Sequence, residues 1–353
     1  FVSFKVHNNI FSDLDVSTYY SCMVIPTTLP NVNVNDTDYT TMIKANIVEK
    51  FTEAVACRLH ADRPLGCLLS GGLDSSLVAS VAAKIIRDTE GYNHKLQTFS
   101  IGMPGSTDEK YARMVAEYIS SDHTHICIPQ EEWISAIHDV IYATETFDIT
   151  TVRASTGQWL ISKWIAEHTD IKVLLIGDGS DELCAGYMYF HNAPTSQDSH
   201  YENIRLLQDI SYFDVLRADR GIADNGLEAR VPFLDRRFVD YYLSVPSELR
   251  IPTNGIEKWL LRESFNGLGY LPDAILFKKK EAFSDSISGS EKPWFMIIQD
   301  YAEQLYSDKD FAEKQQKYSH CIPHTKEALY YREIFDKYFV ITMITINIFV
   351  DWG

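Results

Sequence analysis

Residues 70–76, with the sequence SGGLDSS, have the composition of a loop that binds phosphate. Adjacent glycines let a backbone turn tightly and bring its N–H groups against a phosphate, and a following helix adds the positive end of its dipole. The hydroxyl groups of Ser70, Ser75 and Ser76 can donate further hydrogen bonds, and Asp74 could hold Mg²⁺. The segment predicts a phosphate-binding loop, although a plain turn between a strand and a helix has a similar composition.

The lysine of the Walker pattern is absent from this loop. That pattern places a lysine directly after the last glycine, whereas Leu73 follows Gly72 here. A kinase or a GTPase of the Walker type is therefore disfavoured.

A second glycine loop, residues 176–183 with the sequence IGDGSDEL, also follows an apolar run. If the two preceding strands are neighbours in a sheet, Asp74 and Asp181 would face each other across the strand ends. Two carboxylates from different loops could then share Mg²⁺ with a pyrophosphate group. The alternative for the second loop is a solvated acidic turn.

The elements around both loops alternate between strands and helices. Short apolar runs predict strands at about 64–69, 96–101, 124–128 and 172–176. Periodic apolar positions predict helices at about 39–60, 75–87, 108–119, 131–144 and 155–168. This alternation predicts the α/β class, with a parallel sheet, helices on both faces and ligands at the carboxyl ends of the strands. From about residue 201 onward, the pattern predicts a mainly helical part.

The composition disfavours some classes of binding partner and indicates a cellular location. The 353 residues carry a net charge of −17, which disfavours nucleic acid and anionic membranes as partners. The six cysteines show no metal-ligand spacing and are typical of reduced thiols, which indicates a cytoplasmic protein. The long apolar run at 338–350 is too short to span a bilayer.

The order of several motifs resembles one family. The loop at 70–76 is similar to the signature of the N-type ATP pyrophosphatases, which have an adenine nucleotide α-hydrolase-like fold. Further segments, in the same order, resemble the synthetase part of the eukaryotic, glutamine-hydrolysing asparagine synthetases. They are TVRAS at 151–155, the loop at 176–183, FDVLRADR at 213–220, EARVPFLD at 228–235 and KEAFSD at 280–285. The resemblance covers about residues 40–337.

The resemblance implies synthesis of asparagine from L-aspartate, ATP and an ammonia source through β-aspartyl-AMP, with Mg²⁺ as cofactor and AMP and pyrophosphate as products. The residues implied in nucleotide binding are Leu69, Ser70, Gly71, Gly72, Asp74, Ser75, Ile101, Ile176 and Gly177. Those implied in catalysis are Asp178, Arg153, Asp214 and Lys280, and the metal ligands would be Asp74 and Asp181.

For some of these residues, physical chemistry supports the implied role, and for others a structural role is an alternative. A fixed cation such as Lys280 would stabilise the negative charge that adenylate formation concentrates on the phosphates. The neighbouring Lys278 and Lys279 could equally form an exposed basic patch. Arg230 and Asp235 are as well suited to a buried ion pair as to a substrate contact. The histidines His60, His123 and His125 show no metal spacing and are expected to be ordinary surface or core residues.

Two positions depart from the family. Asp178 stands where the family usually has glutamate, which retracts the carboxylate by about 1.5 Å. Ile176 replaces a usual serine and removes a hydroxyl group.

The ends are expected to differ from the family as well. Residues 1–38 would be the remnant of a preceding glutaminase domain with its linker, 39–338 the ATP-pyrophosphatase domain, and 339–353 a divergent apolar tail. Such a chain would use free ammonia in isolation, with a glutaminase domain or chain supplying it in the intact protein. Two alternatives stay open: a related amide or β-lactam ligase, and an inactive fragment that only binds nucleotide. A homodimer is also left open.

Overall fold

The computed structural model describes residues 2–7, 10–16, 36–91, 94–279, 288 and 292–339. Its strands, in chain order, are β1 Val2–His7, β2 Ile10–Val16, β3 Leu65–Leu68, β4 Gln97–Gly102, β5 Asp122–Cys127, β6 Val173–Leu175 and β7 Glu228–Arg230. The first two form an antiparallel pair, and the other five form one parallel sheet in the order β5-β4-β3-β6-β7.

Helices connect and follow these strands. Those of the first half are α1 Thr37–Arg58, α2 Leu73–Glu90, α3 Thr107–Ile119, α4 Gln130–Thr144, α5 Ile149–His168, α6 Ser180–Leu183, α7 Ser196–Asp209 and α8 Asp214–Ala223. Those of the second half are α9 Arg236–Ser244, α10 Ser247–Arg250, α11 Trp259–Phe265, α12 Asp273–Leu276, α13 Trp294–Leu305, α14 Asp308–Gln315 and α15 Lys326–Tyr338. Short 3₁₀ turns cover Met188–Asn192, Ile210–Tyr212 and Pro232–Leu234. No helix within the described ranges combines the length and apolarity needed to cross a membrane.

Two hydrophobic cores lie on opposite faces of the parallel sheet. Alternate residues of a strand point to opposite faces. Cys67 and Leu175 therefore pack with α1, α2 and α3, while Leu174 and Ile176 pack with α4, α5 and α8. The predicted α/β class, with helices on both faces of a parallel sheet and a mainly helical second half, is confirmed.

Among the elements of the parallel sheet and its helices, the largest differences from the prediction are at β7 and α5. Strand β7 was not predicted, because it has charged residues, Glu228 and Arg230, at its two ends and contains no apolar run. It pairs with β6 at the edge of the sheet. Helix α5 begins six residues before the predicted start. Its first turn is rich in β-branched residues, which hides the helical pattern, but Asp148 caps it by accepting a 2.7 Å hydrogen bond from the Thr151 amide.

The predicted terminal domains are only partly within the described residues. Residues 17–35 and 340–353 lie outside them, so the glutaminase remnant, the linker and the apolar tail stay predictions.

Two histidines of β5 lie in a cluster of hydrogen bonds against α3. The Thr98 hydroxyl is 2.9 Å from His123 Nδ1, and the Ser100 hydroxyl lies 3.1 Å from His123 Nε2 and 2.8 Å from His125 Nδ1. Burial, followed by the charges of Arg113 and His125, lowers the pKa of His123 to about 4. Both histidines thus pair with hydroxyl groups of β4, and their interpretation as ordinary surface or core residues stays a prediction.

Replacing His123 with glutamine, which cannot titrate, is expected to weaken the pH dependence of stability. Because the folded-state pKa lies below the unfolded value of 6.5, protonation favours the unfolded chain. The native chain keeps this contribution above pH 6.5 and loses it as pH falls toward 4, by on the order of 2 kcal/mol after allowance for solvent screening. Urea unfolding at about pH 7 and about pH 4.5 measures the difference.

The matched control is the exposed His94. His94→Gln should show the same loss of stability on acidification as the unmodified chain. An equal loss in the His123→Gln variant would contradict the assignment.

Candidate active site

A cleft of about 690 Å³ opens where β3, β4 and β6 end. Both glycine loops line it, as expected for the carboxyl edge of a parallel sheet. The residues predicted to bind nucleotide that line the cleft are Leu69, Ser70, Gly72, Asp74, Ser75, Ile101, Ile176 and Gly177. Gly71 is not among the lining residues. The structure thus brings eight of the nine positions together, and their binding of nucleotide stays a prediction.

The first loop is held in one conformation by its own serines. The hydroxyl groups of Ser70 and Ser75 are 3.0 Å apart, and the Ser70 amide donates to Ser75 Oγ at 3.2 Å. The Gly72 amide donates to Ser70 Oγ at 3.3 Å, directly before α2 begins at Leu73. The loop therefore presents the N-terminus of an 18-residue helix to the cleft, an arrangement that favours phosphate.

The two glycine loops touch through their backbones at Gly177. A Cβ atom added to this glycine would lie 2.7 Å from the Ser75 nitrogen and 2.9 Å from the Asp74 carbonyl carbon. Only glycine allows this approach, because both neighbouring atoms belong to backbone. The contact sets the spacing between the carboxylates of the two loops.

A buried lysine joins these carboxylates. Lys258 Nζ lies 2.6 and 2.7 Å from the two carboxylate oxygens of Asp74, and 2.7 Å from Asp181 Oδ1. Its side chain is 3% exposed. Burial would lower the pKa of Lys258, but Asp181 and Asp74 raise it above its ordinary value, so the ammonium group stays charged. The Ser180 hydroxyl also donates to Asp74, at 2.8 Å.

Sequence reasoning missed Lys258. It lies 184 residues after Asp74 and directly before α11, outside every quoted motif. A glycine after the second loop, Gly186, is the one sequence feature connected with this lysine. A Cβ atom there would lie 1.9 Å from Asp181 Oδ1 and 2.2 Å from Lys258 Cε, so this glycine makes room for the pair.

Asp178 lies beside this cluster, between Arg217 and Gln158. Arg217 Nη2 is 3.7 Å from Asp178 Oδ1, and Gln158 Nε2 donates to Asp178 Oδ2 at 3.3 Å. Burial raises the pKa of Asp178 to about 6; Arg217 opposes this effect, and Asp214 adds to it. The carboxylate is therefore mostly ionised at neutral pH but can accept a proton readily.

Asp214 lies in a second group of acidic side chains at the cleft wall. It pairs with Arg217, and the Tyr187 hydroxyl donates both to Glu182 and, at 3.5 Å, to Asp214 Oδ2. Glu182 is 2% exposed. Burial, followed by the charges of Asp214 and Asp181, raises its pKa well above the usual range. One arginine thus lies among several carboxyl groups, all facing the cleft.

Arg153 lies elsewhere. Its guanidinium group makes two hydrogen bonds with the buried Glu327 of α15, at 2.7 and 2.5 Å, and lies over the Phe295 ring. It does not line the cleft, whereas Asp178 and Asp214 do. This geometry favours a structural role for Arg153, and the catalytic role stays a prediction. Side chains near a motif need not point into the site that the motif builds.

The structure describes two of the three consecutive lysines at 278–280. Lys280, predicted to be catalytic, lies outside the described residues. Lys278 and Lys279 line the cleft, which agrees better with a role in the site than with a remote surface patch. Lys278 Nζ also lies 3.9 Å from the centre of the Tyr111 ring.

Arg230 and Asp235 have structural contacts. Arg230 Nη1 donates to the carbonyl oxygens of Arg58 and His60, at 2.8 and 2.7 Å. Asp235 pairs with Arg58 at 2.7 Å. Neither lines the cleft, so the structural alternative fits both.

Comparison with known proteins gives consistent matches. The family model described as asparagine synthase matches residues 46–207 and 193–340. The chain is 52% identical over 297 residues to an asparagine synthetase [glutamine-hydrolyzing] from Gallus gallus, which covers 84% of this chain and 53% of that protein. The corresponding protein from Homo sapiens is 50% identical over the same shares. The chain spans about half the length of the curated relatives it matches.

Proposed function

Because the chain belongs to the asparagine synthase family, we propose that it converts L-aspartate, ATP and ammonia to L-asparagine, AMP and pyrophosphate through β-aspartyl-AMP. The observation that carries this proposal is the meeting of two glycine loops around Lys258. It places a helix N-terminus, a permanent cation and several carboxylates in one cleft. That combination suits ATP cleavage between the α- and β-phosphates, followed by transfer to a carboxylate.

ATP would bind with its base on the apolar part of the cleft and its phosphates at the first loop. Leu69, Ile101 and Ile176 provide a buried apolar surface at the strand ends. Ser70 and residues 72–75 line the cleft and would provide amide and hydroxyl donors for the phosphates. Lys258 would stabilise the charge that develops on the leaving pyrophosphate.

Mg²⁺ would be held by Asp74 and Asp181. Both line the cleft with side chains that are 25% and 22% exposed, while Lys258, which contacts them, is 3% exposed. Mg²⁺ is commonly bound by one or two carboxylates together with substrate phosphates, so this donor set fits. The ion would neutralise part of the pyrophosphate charge.

L-Aspartate would bind beside the second acidic group. The Arg217 guanidinium could pair with its α-carboxylate, and Asp214 with its α-ammonium group. Both side chains line the cleft next to Asp178. This placement would leave the β-carboxylate free to approach the α-phosphate.

The chemistry would take two steps. In the first, a β-carboxylate oxygen attacks the α-phosphorus, and the bond between that phosphorus and the bridging oxygen breaks to release pyrophosphate. In the second, the ammonia lone pair attacks the acyl carbon, and the carbon–oxygen bond to AMP breaks. The excess proton on nitrogen passes to the Asp178 carboxylate, whose pKa of about 6 suits a base near neutral pH.

The proposal also includes the source of ammonia and the cellular location of the protein. We expect glutamine hydrolysis in a glutaminase domain or chain to supply ammonia, and a cytoplasmic location in which the thiols stay reduced. Cys57, Cys67, Cys127 and Cys184 are free thiols. A homodimer remains a proposal that sedimentation can test.

The chain is expected to release AMP and pyrophosphate only when L-aspartate is present, and to form one L-asparagine for each pyrophosphate when ammonium is supplied. Coupled pyrophosphate detection and amino-acid analysis measure both products. L-Glutamate and D-aspartate serve as matched controls and should support neither. ATP cleavage without asparagine would contradict the proposal, and turnover of another carboxylate would indicate a related amide ligase.

A further inference from the structure

One face of α5 lines the cleft. Its residues Thr151, Ala154, Gln158 and Ile161 are spaced by three or four positions, as required for a single helix face. Gln158 is the long polar side chain on this face. It therefore places an amide group against the second glycine loop.

The two ends of the Gln158 amide have different surroundings. Its nitrogen donates to Asp178 Oδ2 at 3.3 Å. An ionised carboxylate can only accept, so the amide must turn its N–H toward Asp178 and its oxygen away. That oxygen, Oε1, is buried and has no hydrogen-bond partner among the residues that the structure describes. A buried carbonyl oxygen without a donor costs about 1–3 kcal/mol, so a donor from a substrate would be favoured there.

The contact with Gln158 also restrains the Asp178 carboxylate. One oxygen of Asp178 faces Arg217 at 3.7 Å, and the other accepts from Gln158 at 3.3 Å. Holding both oxygens fixes the plane of the carboxylate. Gln158 Oε1 is bonded to the same amide carbon as the nitrogen that contacts Asp178, so acceptor groups of both side chains belong to the same part of the cleft.

We propose that Gln158 and Asp178 form the binding site for the attacking ammonia, an inference that rests on the proposed function. Ammonia has three N–H donors and one lone pair. One N–H donated to Gln158 Oε1 and another to the Asp178 carboxylate would turn the lone pair away from both acceptors. As the lone pair forms the carbon–nitrogen bond and the bond to AMP breaks, the proton facing Asp178 is transferred to it. Gln158 keeps the nitrogen in place and exchanges no proton.

Replacing Gln158 with methionine, which is unbranched and similar in length, tests this site. Aspartate-dependent exchange of labelled pyrophosphate into ATP, measured without ammonia, should be unchanged. The KM for ammonia should rise about 3- to 10-fold, the loss expected for one hydrogen bond. The ratio of pyrophosphate released to asparagine formed should also rise above one, because water hydrolyses adenylate that ammonia fails to capture.

The matched control is Gln130→Met at the exposed start of α4, which should leave all three measurements unchanged. An unchanged KM for ammonia and a ratio of one in Gln158→Met would overturn the proposal. So would a loss of pyrophosphate exchange in proportion to asparagine formation, since that would place Gln158 in adenylation or folding. Absence of aspartate-dependent exchange in the unmodified chain would instead contradict the proposed function itself.

Discussion

Replacing Lys258 with methionine is expected to lower aspartate-dependent pyrophosphate release on the order of 10³-fold and the free energy of unfolding by about 3 kcal/mol. Methionine keeps much of the length and apolar stem but removes the ammonium group. Lys258 Nζ lies within 2.7 Å of carboxylate oxygens from both glycine loops, in the cleft proposed for pyrophosphate departure. Pyrophosphate release at saturating ATP and aspartate, together with urea unfolding, measures the two effects.

The loss of stability has a cause separate from the loss of rate. Without the ammonium group, Asp74 and Asp181 become two partly buried like charges that repel each other. The double variant Asp74→Asn, Lys258→Met removes one of these charges. We expect it to recover most of the stability and none of the activity. Recovery of both would contradict a role for Lys258 in the chemistry.

A matched surface pair provides the control. Lys84 and Asp88 on α2 form an ion pair at 2.6 Å with side chains 46% and 54% exposed. Lys84→Met should change the free energy of unfolding by less than about 1 kcal/mol, because solvent screens an exposed pair. Pyrophosphate release should stay at the level of the unmodified chain.

The sequence predicted the parts of the site that are local and missed those that depend on distant contacts. Both glycine loops follow apolar runs, so their place at the sheet edge could be read from neighbouring residues. Lys258 could not, because its partners Asp74 and Asp181 lie on α2 and α6, far from it along the chain. Gln158 was missed for a similar reason: a glutamine inside a helix carries no signal until the Asp178 loop lies opposite.

Arg153 shows a different limit of local sequence patterns. Its segment resembles the family, which predicted a catalytic side chain, but a helix projects successive residues in different directions. Thr151 and Ala154 face the cleft, whereas Arg153 points to Glu327 on α15. A buried carboxylate 174 residues away cannot be found from local spacing. Likewise, β7 became a strand only because β6 offers it an edge.

Replacing Gly177 with alanine is expected to lower pyrophosphate release on the order of 10²-fold and the free energy of unfolding by about 1–3 kcal/mol. The added Cβ would lie 2.7 Å from the Ser75 nitrogen, so the loops must separate, and Asp74 would move relative to Asp178 and Asp181. Backbone cannot rotate aside as a flexible side chain can, and displacements near 1 Å are costly in catalysis. Turnover measured well below the unfolding temperature separates the two effects.

The control for this substitution is Gly221 on α8, where an added Cβ would meet no atom within 4 Å. Alanine is favoured over glycine inside a helix, so Gly221→Ala should keep full activity and gain about 0.5–1 kcal/mol. If Gly177→Ala behaved like Gly221→Ala, the close contact between the loops would not matter for activity. If only Gly177→Ala lost activity while still folded, the spacing between the two loops would limit the rate. The carboxylates of the two loops can act on the same substrate only while the backbones of the loops stay in contact.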